Sequence, residues 1–491
     1  MFRVVRFPRS SATTNLICFS NLKCFLQRRT LSQDFINGLK GIVGDSNISQ
    51  SRATREQHGT DEGPHSPLPP DVVVWPHTTN DVSQIAKHCY KHSVPMIPFG
   101  TGTGLELGIG APSGGVCIDF SKMDQILETN LEDFDAKVQS GVTWRTLNDY
   151  LKQTGLWFTV DPGADASLGG MTSTGASGTN TVRYGTMKQN VINLEIVLSD
   201  GTIFHTAGKN RRSRKSSAGY NLTDLFIGSE GTLGFITEVT VKLHAVPEMM
   251  VSSICSFPTI KAAVDTTIEI LQLSIPVAKI ELLDELAIEA SNKYNHLDHK
   301  VAPTLFLEFH GNEAAVETCA EQVGEIAKTH GGSEFTWAKD METRNKLWKA
   351  RHQIFYATLA LKPGSKSVVT DCCVPISHLT ELIVETKQDI KNSGVIGPIL
   401  GHVGDGNFHS ILLFNPESEE ELKKAKKLSV AMAERALKLN GTCTGEHGIG
   451  MGKISLLQKE YGENGISVMK QLKKSLDPKN IMNPKKIFYD F

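Results

Sequence analysis

Three glycine-rich segments in the first half of the chain limit its possible folds more than any other feature. They are "PFGTGTGLE" (98–106), "DPGADASLGGMTSTGASGTN" (161–180) and "FIGSEGTLGFIT" (226–237), and each adjoins an apolar segment typical of a strand. Glycine leaves backbone N–H groups unshielded, although one such segment alone is equally typical of a hairpin tip. The Gly-x-Gly-x-Gly spacing of the first segment matches neither the Rossmann fingerprint nor the Walker phosphate loop. Three segments within one region therefore predict a long ligand, such as a dinucleotide, that meets the backbone at several points.

The hydrophobic pattern around these segments predicts alternating strands and helices. We predict strands at 72–75, 94–99, 115–120 and 235–244, a helix at 78–92 with Asn80 or Asp81 near its N-cap, and a hairpin at 193–204 around Asp200-Gly201. Beyond Val246-Pro247, strands such as "TLFLEFHG" and "GPILGHVG" alternate with amphipathic helices, one of them at 417–439. The chain is therefore predicted to be an α+β protein with two domains.

The charge distribution separates a leader from the rest of the chain. The net charge is -2 and the pI is about 6.8, which gives no reason to expect nucleic acid as a partner, and no apolar run is long enough for a transmembrane helix. Residues 1–33 carry six Arg and Lys residues and no acid. This pattern predicts a mitochondrial transit peptide at 1–30, the alternative being a basic tail, and a protein of the matrix or inner-membrane surface. No Cys-x-x-Cys spacing occurs, so we expect reduced thiols rather than a cluster or a disulfide framework.

A pair of histidines in "GHVGDGNFH" (401–409) raises the possibility of a metal site. If His402 ends one strand and His409 starts the next, the turn between them brings both imidazoles to one side. Two nitrogen donors bind a divalent ion poorly, and Glu446 in "TGEHGIG" (444–450) is the best candidate for a third ligand. The alternative is that both histidines are hydrogen-bonded core residues and that Glu446-His447 is only a turn.

Four motifs together resemble the FAD-binding domain of the vanillyl-alcohol-oxidase type. They are the strand and helix at 72–92, "PFGTGTGLE", the Asp-Pro-Gly to Gly-Gly-x-x-x-x-Gly region, and "YNLTDLFIGSEGTLGFITE" (220–238). The resemblance covers about 65–245 and implies two α/β subdomains that hold FAD, without a covalent bond because the first loop has no histidine. It implies that the cofactor is bound by Pro98, Gly100, Thr101, Gly102, Thr103, Gly104, Leu105, Pro162, Gly163, Gly169, Gly170, Thr172, Ser173, Gly175, Ala176, Gly178, Gly228, Glu230, Gly231, Gly234, Ile236 and Asn483.

The histidine pair and "GEHGIG" resemble the C-terminal substrate (cap) domain of FAD-dependent D-2-hydroxyacid dehydrogenases. That resemblance implies a second α+β domain at 250–465, a tail at 470–491 that returns to the flavin site, and a Zn²⁺ or Mn²⁺ site made by His402, His409 and Glu446. It further implies that His447 acts on the substrate hydroxyl and that Arg351 binds the substrate carboxylate, with Lys366 and Asp371 as weaker candidates.

The substrate is expected to be a short D-2-hydroxy acid, with D-lactate as the leading choice. The 2-hydroxyglutarate branch of this family tends to carry a lysine where this chain has Val369, and Phe355 also offers no polar group to a distal carboxylate. By the same resemblance, pyruvate is the product and cytochrome c accepts the electrons. The alternatives are a 2-hydroxyglutarate dehydrogenase, an alkyl-transfer flavoenzyme of ether-lipid synthesis, and a flavin-binding protein without activity.

Overall fold

A computed structural model describes residues 31–489, so the expected transit peptide at 1–30 lies outside the described residues. The chain forms three regions, each organised around one sheet. Two of them lie in the first half of the chain and the third in the second half. Among residues 31–489, no helix is both long enough and apolar enough to span a membrane.

The first region has a four-stranded sheet in the order β1-β2-β4-β3, in which β2, β4 and β3 are parallel. Its elements are α1 (Gln33–Val43), β1 (Ile48–Ser49), α2 (Arg52–Gln57), β2 (Val72–Val74), α3 (Thr79–His92), β3 (Met96–Phe99) and β4 (Val116–Asp119). The N-cap of α3 is Thr78, which forms a capping box with Asp81. Because β1 pairs with β2 and α1 packs on the same core, this region begins about thirty residues before the expected start at 65.

The second region is an antiparallel five-stranded sheet in the order β5-β6-β10-β8-β9. Its elements are β5 (Ile126–Asn130), β6 (Asp135–Gln139), α4 (Trp144–Leu151), β7 (Leu156–Trp157), α5 (Leu168–Thr174), α6 (Thr181–Tyr184), α7 (Met187–Asn190), β8 (Val191–Val197), β9 (Ile203–His205), α8 (Leu222–Phe226), β10 (Phe235–Lys242) and β11 (His244–Ala245). The predicted hairpin is present as β8 and β9, which pair around the turn at Asp200-Gly201. The glycine-rich segments lie mainly between strands, although the second contains α5 and the third runs into β10.

The third region is an eight-stranded sheet in the order β15-β12-β14-β13-β18-β19-β16, with β17 pairing to β19. Its elements are β12 (Met249–Ser256), α9 (Ile260–Gln272), β13 (Lys279–Leu283), α10 (Glu285–Asn295), β14 (Thr304–Gly311), α11 (Glu313–Thr329), β15 (Thr336–Ala338), α12 (Met341–His352), α13 (Ile354–Leu359), β16 (Lys366–Val369), β17 (Cys372–Cys373), α14 (Leu379–Ser393), β18 (Ile399–Gly401), β19 (Asn407–Phe414), α15 (Glu419–Lys438) and α16 (Ile454–Leu476).

The alternation of side chains along β13 divides this sheet into two faces. Ile280 and Leu282 pack in the large apolar core beneath α9, α11 and α14, whereas Lys279 and Glu281 point to the opposite face and are also buried. Successive side chains of a strand point to opposite faces, so charged residues two apart must share one face. A buried charged face in the middle of the sheet is the surface on which the candidate site is built.

The end of the chain returns to the first region. Helix α16 continues through the boundary expected between 465 and 470, with a kink at Gly462, so the tail begins after Leu476. The tail then lies beside β3, because the Met96 N–H donates to Ile481 O at 2.7 Å and the Asn483 N–H donates to Met96 O at 2.8 Å. Strand β3 leads directly into the first glycine-rich segment.

Candidate active site

The three glycine-rich segments converge on one another. A Cβ added at Gly100 would lie 2.6 Å from Ser167 Oγ at the start of α5, and one at Gly231 would lie 2.4 Å from Pro98 Cγ. The segment at 226–237 also bonds the backbone of the second segment, since the Glu230 N–H donates to Ser173 O at 2.8 Å. The glycines thus permit backbone approaches that side chains would prevent, and they bring the three predicted cofactor segments together.

Free backbone donors remain in the first of these segments. The N–H groups of residues 101–105 donate no hydrogen bond to any other residue between 31 and 489. A Cβ at Gly104 would meet no protein atom within 4 Å, so the space beside this residue is open. A run of unshielded N–H groups beside open space is the arrangement that binds an anion such as a pyrophosphate. The residues present therefore fit FAD.

Other glycines of the predicted cofactor set face protein atoms. Gly169 packs against Ser140, Gly178 against the backbone of Asp161, and Gly234 against Ile196. The hydroxyl of Thr172 donates to Leu168 O within α5, so it is already paired. At these positions glycine and threonine shape the region through close packing, and a direct contact with the cofactor stays a prediction.

Glu230, in the third glycine-rich segment, contacts the segment that carries Glu446 and His447. Its carboxylate accepts the Ile449 N–H and the Gly450 N–H, both at 2.7 Å, from the segment that follows Glu446-His447. Burial raises the pKa of Glu230, while these two donors lower it. The side chain of this predicted cofactor residue is therefore committed to a contact between regions, and only its backbone faces the second glycine-rich segment.

Asn483 holds the tail between the same segments. Its side-chain amide donates to Glu230 O at 2.8 Å and to Gly108 O at 3.1 Å. The neighbouring Lys486 donates to Gly110 O at 2.6 Å, and burial lowers the pKa of this lysine to about 7. The tail thus fixes the positions of the first and third glycine-rich segments relative to each other.

His402, His409 and Glu446 meet at one point. The Nε2 atoms of both histidines lie 3.3 Å from Oε1 of Glu446, and the two rings are 5.5 Å apart at an angle of 85°. His402 comes directly after β18 rather than ending it, and His409 is the third residue of β19 rather than its first. Leu400, two residues before His402, pairs with His409 across the sheet, and this pairing brings the two histidines close together. The structure therefore brings the predicted ligand trio together.

The outer atoms of the trio have fixed partners. Nδ1 of His409 bonds Thr370 O at 3.0 Å, and Nδ1 of His402 bonds Oε1 of Glu281 at 2.6 Å, so both Nε2 atoms point at Glu446. The hydroxyl of Ser177, in the second glycine-rich segment, donates to the other oxygen of Glu446 at 2.5 Å. Ligand imidazoles in metal sites are characteristically held through the second ring nitrogen in this way.

The charges of the trio are strongly coupled. Burial alone raises the pKa of Glu446, but His402 and His409 lower it well below its usual value. Burial alone lowers the pKa of His402, but Glu281 and Glu446 raise it well above its usual value. The anionic Glu446 thus favours a positive charge between its Oε1 atom and the two Nε2 atoms. A proton and a metal ion compete for this position.

Asp371 anchors the loop that carries Glu446. One of its oxygens accepts the Glu446 N–H and the His447 N–H, each at 2.9 Å, and the Thr444 hydroxyl at 2.8 Å. The other accepts the amide of Asn407 at 2.8 Å. With its lone pairs used in this way, Asp371 is better suited to hold the loop than to bind a second ion with His409 and His447, although these three also lie close enough for one.

His447 lies against the trio without joining it. Its ring stacks on that of His409 at 4.9 Å, its Nε2 is 3.9 Å from Glu446 Oε1, and its Nδ1 has no hydrogen-bond partner among the described residues. Burial lowers the pKa of His447 to about 4. The imidazole is therefore neutral near pH 7 and has a nitrogen available to accept a proton.

Arg351 is connected to the trio by hydrogen bonds through Glu281, a residue that the sequence analysis did not identify. It lies in the last turn of α12, is 6% exposed, and bonds Oε2 of Glu281 through Nε at 3.0 Å and Nη2 at 2.6 Å. Glu281 in turn bonds His402. The charged pair Lys279 and Glu281 inside the apolar strand "VAKIELL" was the signal available in the sequence, because charges in a buried strand require a partner or a function.

The remaining predicted residues near the site are apolar or distant. Val369 and Phe355 pack against the apolar cluster that contains Trp348 and Ile411, and they bring no charge to it. Lys366, one of the weaker candidates for carboxylate binding, is exposed at the start of β16. Val369 and Phe355 therefore contribute only apolar surface to this cluster.

Comparison with known proteins agrees with this geometry. A family model described as "FAD binding domain" matches residues 70–207, and one described as "FAD linked oxidases, C-terminal domain" matches residues 212–487. A probable mitochondrial D-lactate dehydrogenase of Danio rerio is 54% identical over 471 residues, which cover 96% of this chain and 95% of the relative. The mitochondrial D-lactate dehydrogenase (cytochrome) of Arabidopsis thaliana is 44% identical over 461 residues, which cover 94% and 81%.

Among solved structures, an alkyldihydroxyacetonephosphate synthase superposes with a TM-score of 0.75 at 21% identity, covering 93% of this chain and 86% of that one. At that identity the likeness concerns the fold alone. The expected α+β fold, a vanillyl-alcohol-oxidase-type FAD-binding domain followed by a second α+β domain, is confirmed by these findings.

Proposed function

The chain belongs to the FAD-linked oxidases, and from this premise we propose that it oxidises D-lactate, or a closely related short D-2-hydroxy acid, to the 2-oxo acid. It is an FAD-dependent oxidoreductase, and its similarity to the named D-lactate dehydrogenases assigns it to mitochondria. When bound, FAD supplies the two-electron acceptor that takes a hydride from the substrate carbon.

The cofactor is held without a covalent bond in our proposal. Among the described residues, the N–H groups of 101–105 have no acceptor, so they would bind the pyrophosphate, for which Gly104 leaves open space. The backbone of 169–178 and 228–231, which converges on that segment, would bind the rest of the cofactor. The tail residue Asn483 supports this arrangement by bonding the backbone of both flanking segments.

We assign His402, His409 and Glu446 as ligands of one divalent cation, Zn²⁺ or Mn²⁺. Two neutral imidazole nitrogens and a carboxylate aimed at one point form a donor set that both ions accept. Such a cation would lower the pKa of a nearby substrate hydroxyl by stabilising the alkoxide. The fixed Nδ1 contacts of both histidines support this assignment, because they leave Nε2 as the only free donor atom of each ring.

Two further residues handle the substrate. Arg351 is a buried donor whose Nε and Nη2 are held by Glu281, which leaves Nη1 for the substrate carboxylate, and it stands on the side of His402 opposite Glu446. His447, neutral and unpaired at Nδ1, accepts the hydroxyl proton as the hydride leaves. The apolar side chains of Val369 and Phe355 suit the methyl group of lactate and themselves offer no polar group to the second carboxylate of 2-hydroxyglutarate.

The other candidate functions fit the site less well. An alkyl-transfer enzyme of the same fold has no use for a metal trio beside the substrate arginine. A flavin-binding protein without activity does not explain a buried, unpaired histidine beside that trio. Cytochrome c is the proposed electron acceptor, since the names of similar proteins carry the word cytochrome, and its reduction by the lactate-reduced protein tests this.

The observation that carries the proposal is the meeting of the two imidazoles and Glu446 at one point, with Arg351 linked to His402 through Glu281. The test is anaerobic stopped-flow reduction of the purified flavoprotein with D-lactate, L-lactate and D-2-hydroxyglutarate. We expect D-lactate to bleach the flavin fastest. Equal rates for the two lactates, or faster reduction by D-2-hydroxyglutarate, would contradict the assignment.

A further inference from the structure

Glu281 occupies a position between the two parts of the proposed site. One of its oxygens bonds Nδ1 of His402 at 2.6 Å, and the other receives Nε and Nη2 of Arg351 at 3.0 and 2.6 Å. Its side chain is 1% exposed, so water does not replace either partner. A single carboxylate therefore touches both the residue assigned to the metal and the residue assigned to the substrate carboxylate.

The chemistry of these contacts fixes the state of both neighbours. A carboxylate only accepts hydrogen bonds, so it requires the proton of His402 on Nδ1 and leaves Nε2 to face Glu446. The same carboxylate binds Arg351 through Nε and Nη2, which are on one side of the guanidinium group. Nη1 is thereby left to face another acceptor.

We propose that Glu281 is a positioning residue that couples metal binding to recognition of the substrate carboxylate. Glu281 sets the tautomer of His402 and the orientation of Arg351 at the same time. A change in the position of either neighbour therefore affects the other through this one carboxylate. This inference rests on the proposed function, because it presumes that the trio binds a metal ion and that Arg351 binds the substrate.

Glu281→Gln tests the coupling with little change of shape. Glutamine keeps one acceptor oxygen and replaces the other with an NH₂ donor, yet both neighbours must donate. Either His402 loses its acceptor and adopts the wrong tautomer, or Arg351 faces an amide donor. Removing partners of this kind from metal-ligating histidines typically weakens metal affinity by about 10- to 100-fold.

The experiment compares the FAD-loaded wild type and E281Q. The metal-free forms are titrated with Zn²⁺ and, in a parallel series, with Mn²⁺ to obtain dissociation constants, and D-lactate kinetics are then measured at saturating metal. We expect the metal dissociation constant of E281Q to rise by at least about 10-fold. We also expect KM for D-lactate to stay elevated after metal saturation restores most of kcat, because Arg351 remains misdirected.

Asp284→Asn is the matched control. Asp284 follows the same strand, is equally buried, and bonds Lys387 and the Ala287 N–H rather than His402 or Arg351. Asparagine preserves its N-cap role, so D284N should show wild-type metal affinity and KM. If E281Q does not retain FAD, Glu281→Asp replaces it, with the same direction and a smaller effect because the charge is kept.

The outcomes separate the two proposals. E281Q with wild-type metal affinity and KM overturns the coupling and leaves the proposed function intact. Equal losses in E281Q and D284N also overturn it, since they indicate general damage. A wild type that binds no stoichiometric metal, or is not reduced by D-lactate, refutes the proposed function and this inference with it.

Discussion

Two parts of the molecule reach their proposed functions by opposite means. One is the cofactor region, made of the glycine-rich segments 98–106, 161–180 and 226–237, and the other is the metal region around His402, His409 and Glu446. The cofactor region presents backbone: the N–H groups of 101–105 have no acceptor between residues 31 and 489, and Gly104 has open space where a side chain would stand. The metal region presents side chains whose outer atoms are already paired, as with Glu281 on His402 and Ser177 on Glu446. An added methyl group is therefore the informative change in the first region, and a removed side chain is the informative change in the second.

The largest effect is expected at the metal trio. His409→Ala removes one of three ligands and should abolish stoichiometric metal while FAD content stays at the wild-type level. Flavin reduction should slow by about 10³-fold, because the cation contributes several kcal/mol of charge stabilisation. Metal analysis and flavin absorbance report the two cofactors separately.

His310→Ala is the control for that variant. His310 is a buried histidine of strand β14 that bonds Glu308 and Tyr184 and lies outside the trio. We expect it to keep its metal. Full metal occupancy in H409A would break the contrast between the two regions.

His447→Asn should act on chemistry alone. The loss of the proton acceptor is expected to slow flavin reduction by about 10²-fold, with metal content and substrate affinity close to the wild type. Single-turnover reduction over a range of D-lactate concentrations separates the rate from the affinity. An unchanged limiting rate would remove His447 from the mechanism.

Glu230→Gln tests the contact that joins the two regions. The carboxylate accepts N–H groups from Ile449 and Gly450, and an amide retains only one acceptor oxygen for them. The loss of one buried hydrogen bond costs about 1–3 kcal/mol, so we expect a lower melting temperature and a several-fold slower reduction, with both cofactors retained. Wild-type stability would show that the regions are held together by other contacts.

The smallest effect is expected from Gly104→Ala. The new Cβ meets no protein atom, so the stability of the FAD-free protein should be unchanged while FAD affinity falls by about 10-fold through a clash with the ligand. Gly41→Ala in helix α1, where a Cβ also meets nothing, is the matched control. Unchanged FAD affinity in G104A would place the cofactor elsewhere.

Local patterns in the sequence were enough to predict several of the elements. The helix at 78–92, the hairpin at Asp200-Gly201 and the strand β10 follow from periodicity and turn residues. The elements that the sequence analysis did not predict include α1 and β1, which precede the glycine-rich segments. Strand β1 has two residues, too few for a periodicity to show.

The candidate site was predictable in part. His402, His409 and Glu446 were found because histidine and acid motifs stand out among glycines, and the structure places them together. Glu281 and Ser177 were missed, and Asp371 was given the wrong emphasis, because their roles depend on partners elsewhere. Glu230 shows the same limit: its motif predicts the cofactor, while its carboxylate bonds residues more than two hundred positions away.

The sequence by itself determined which segments form strands, helices and glycine loops, and which residues have the chemistry of a flavin and metal site, because those properties are local. Only the tertiary structure decided the partners. Glu281 reaches His402 across 121 positions and Ser177 reaches Glu446 across 269, and such pairs come from sheet order and from the packing of one region on another. The type of side chain determines which chemistry a residue can perform. Its protonation, its orientation and its contacts with other site residues depend on neighbours that only folding brings near.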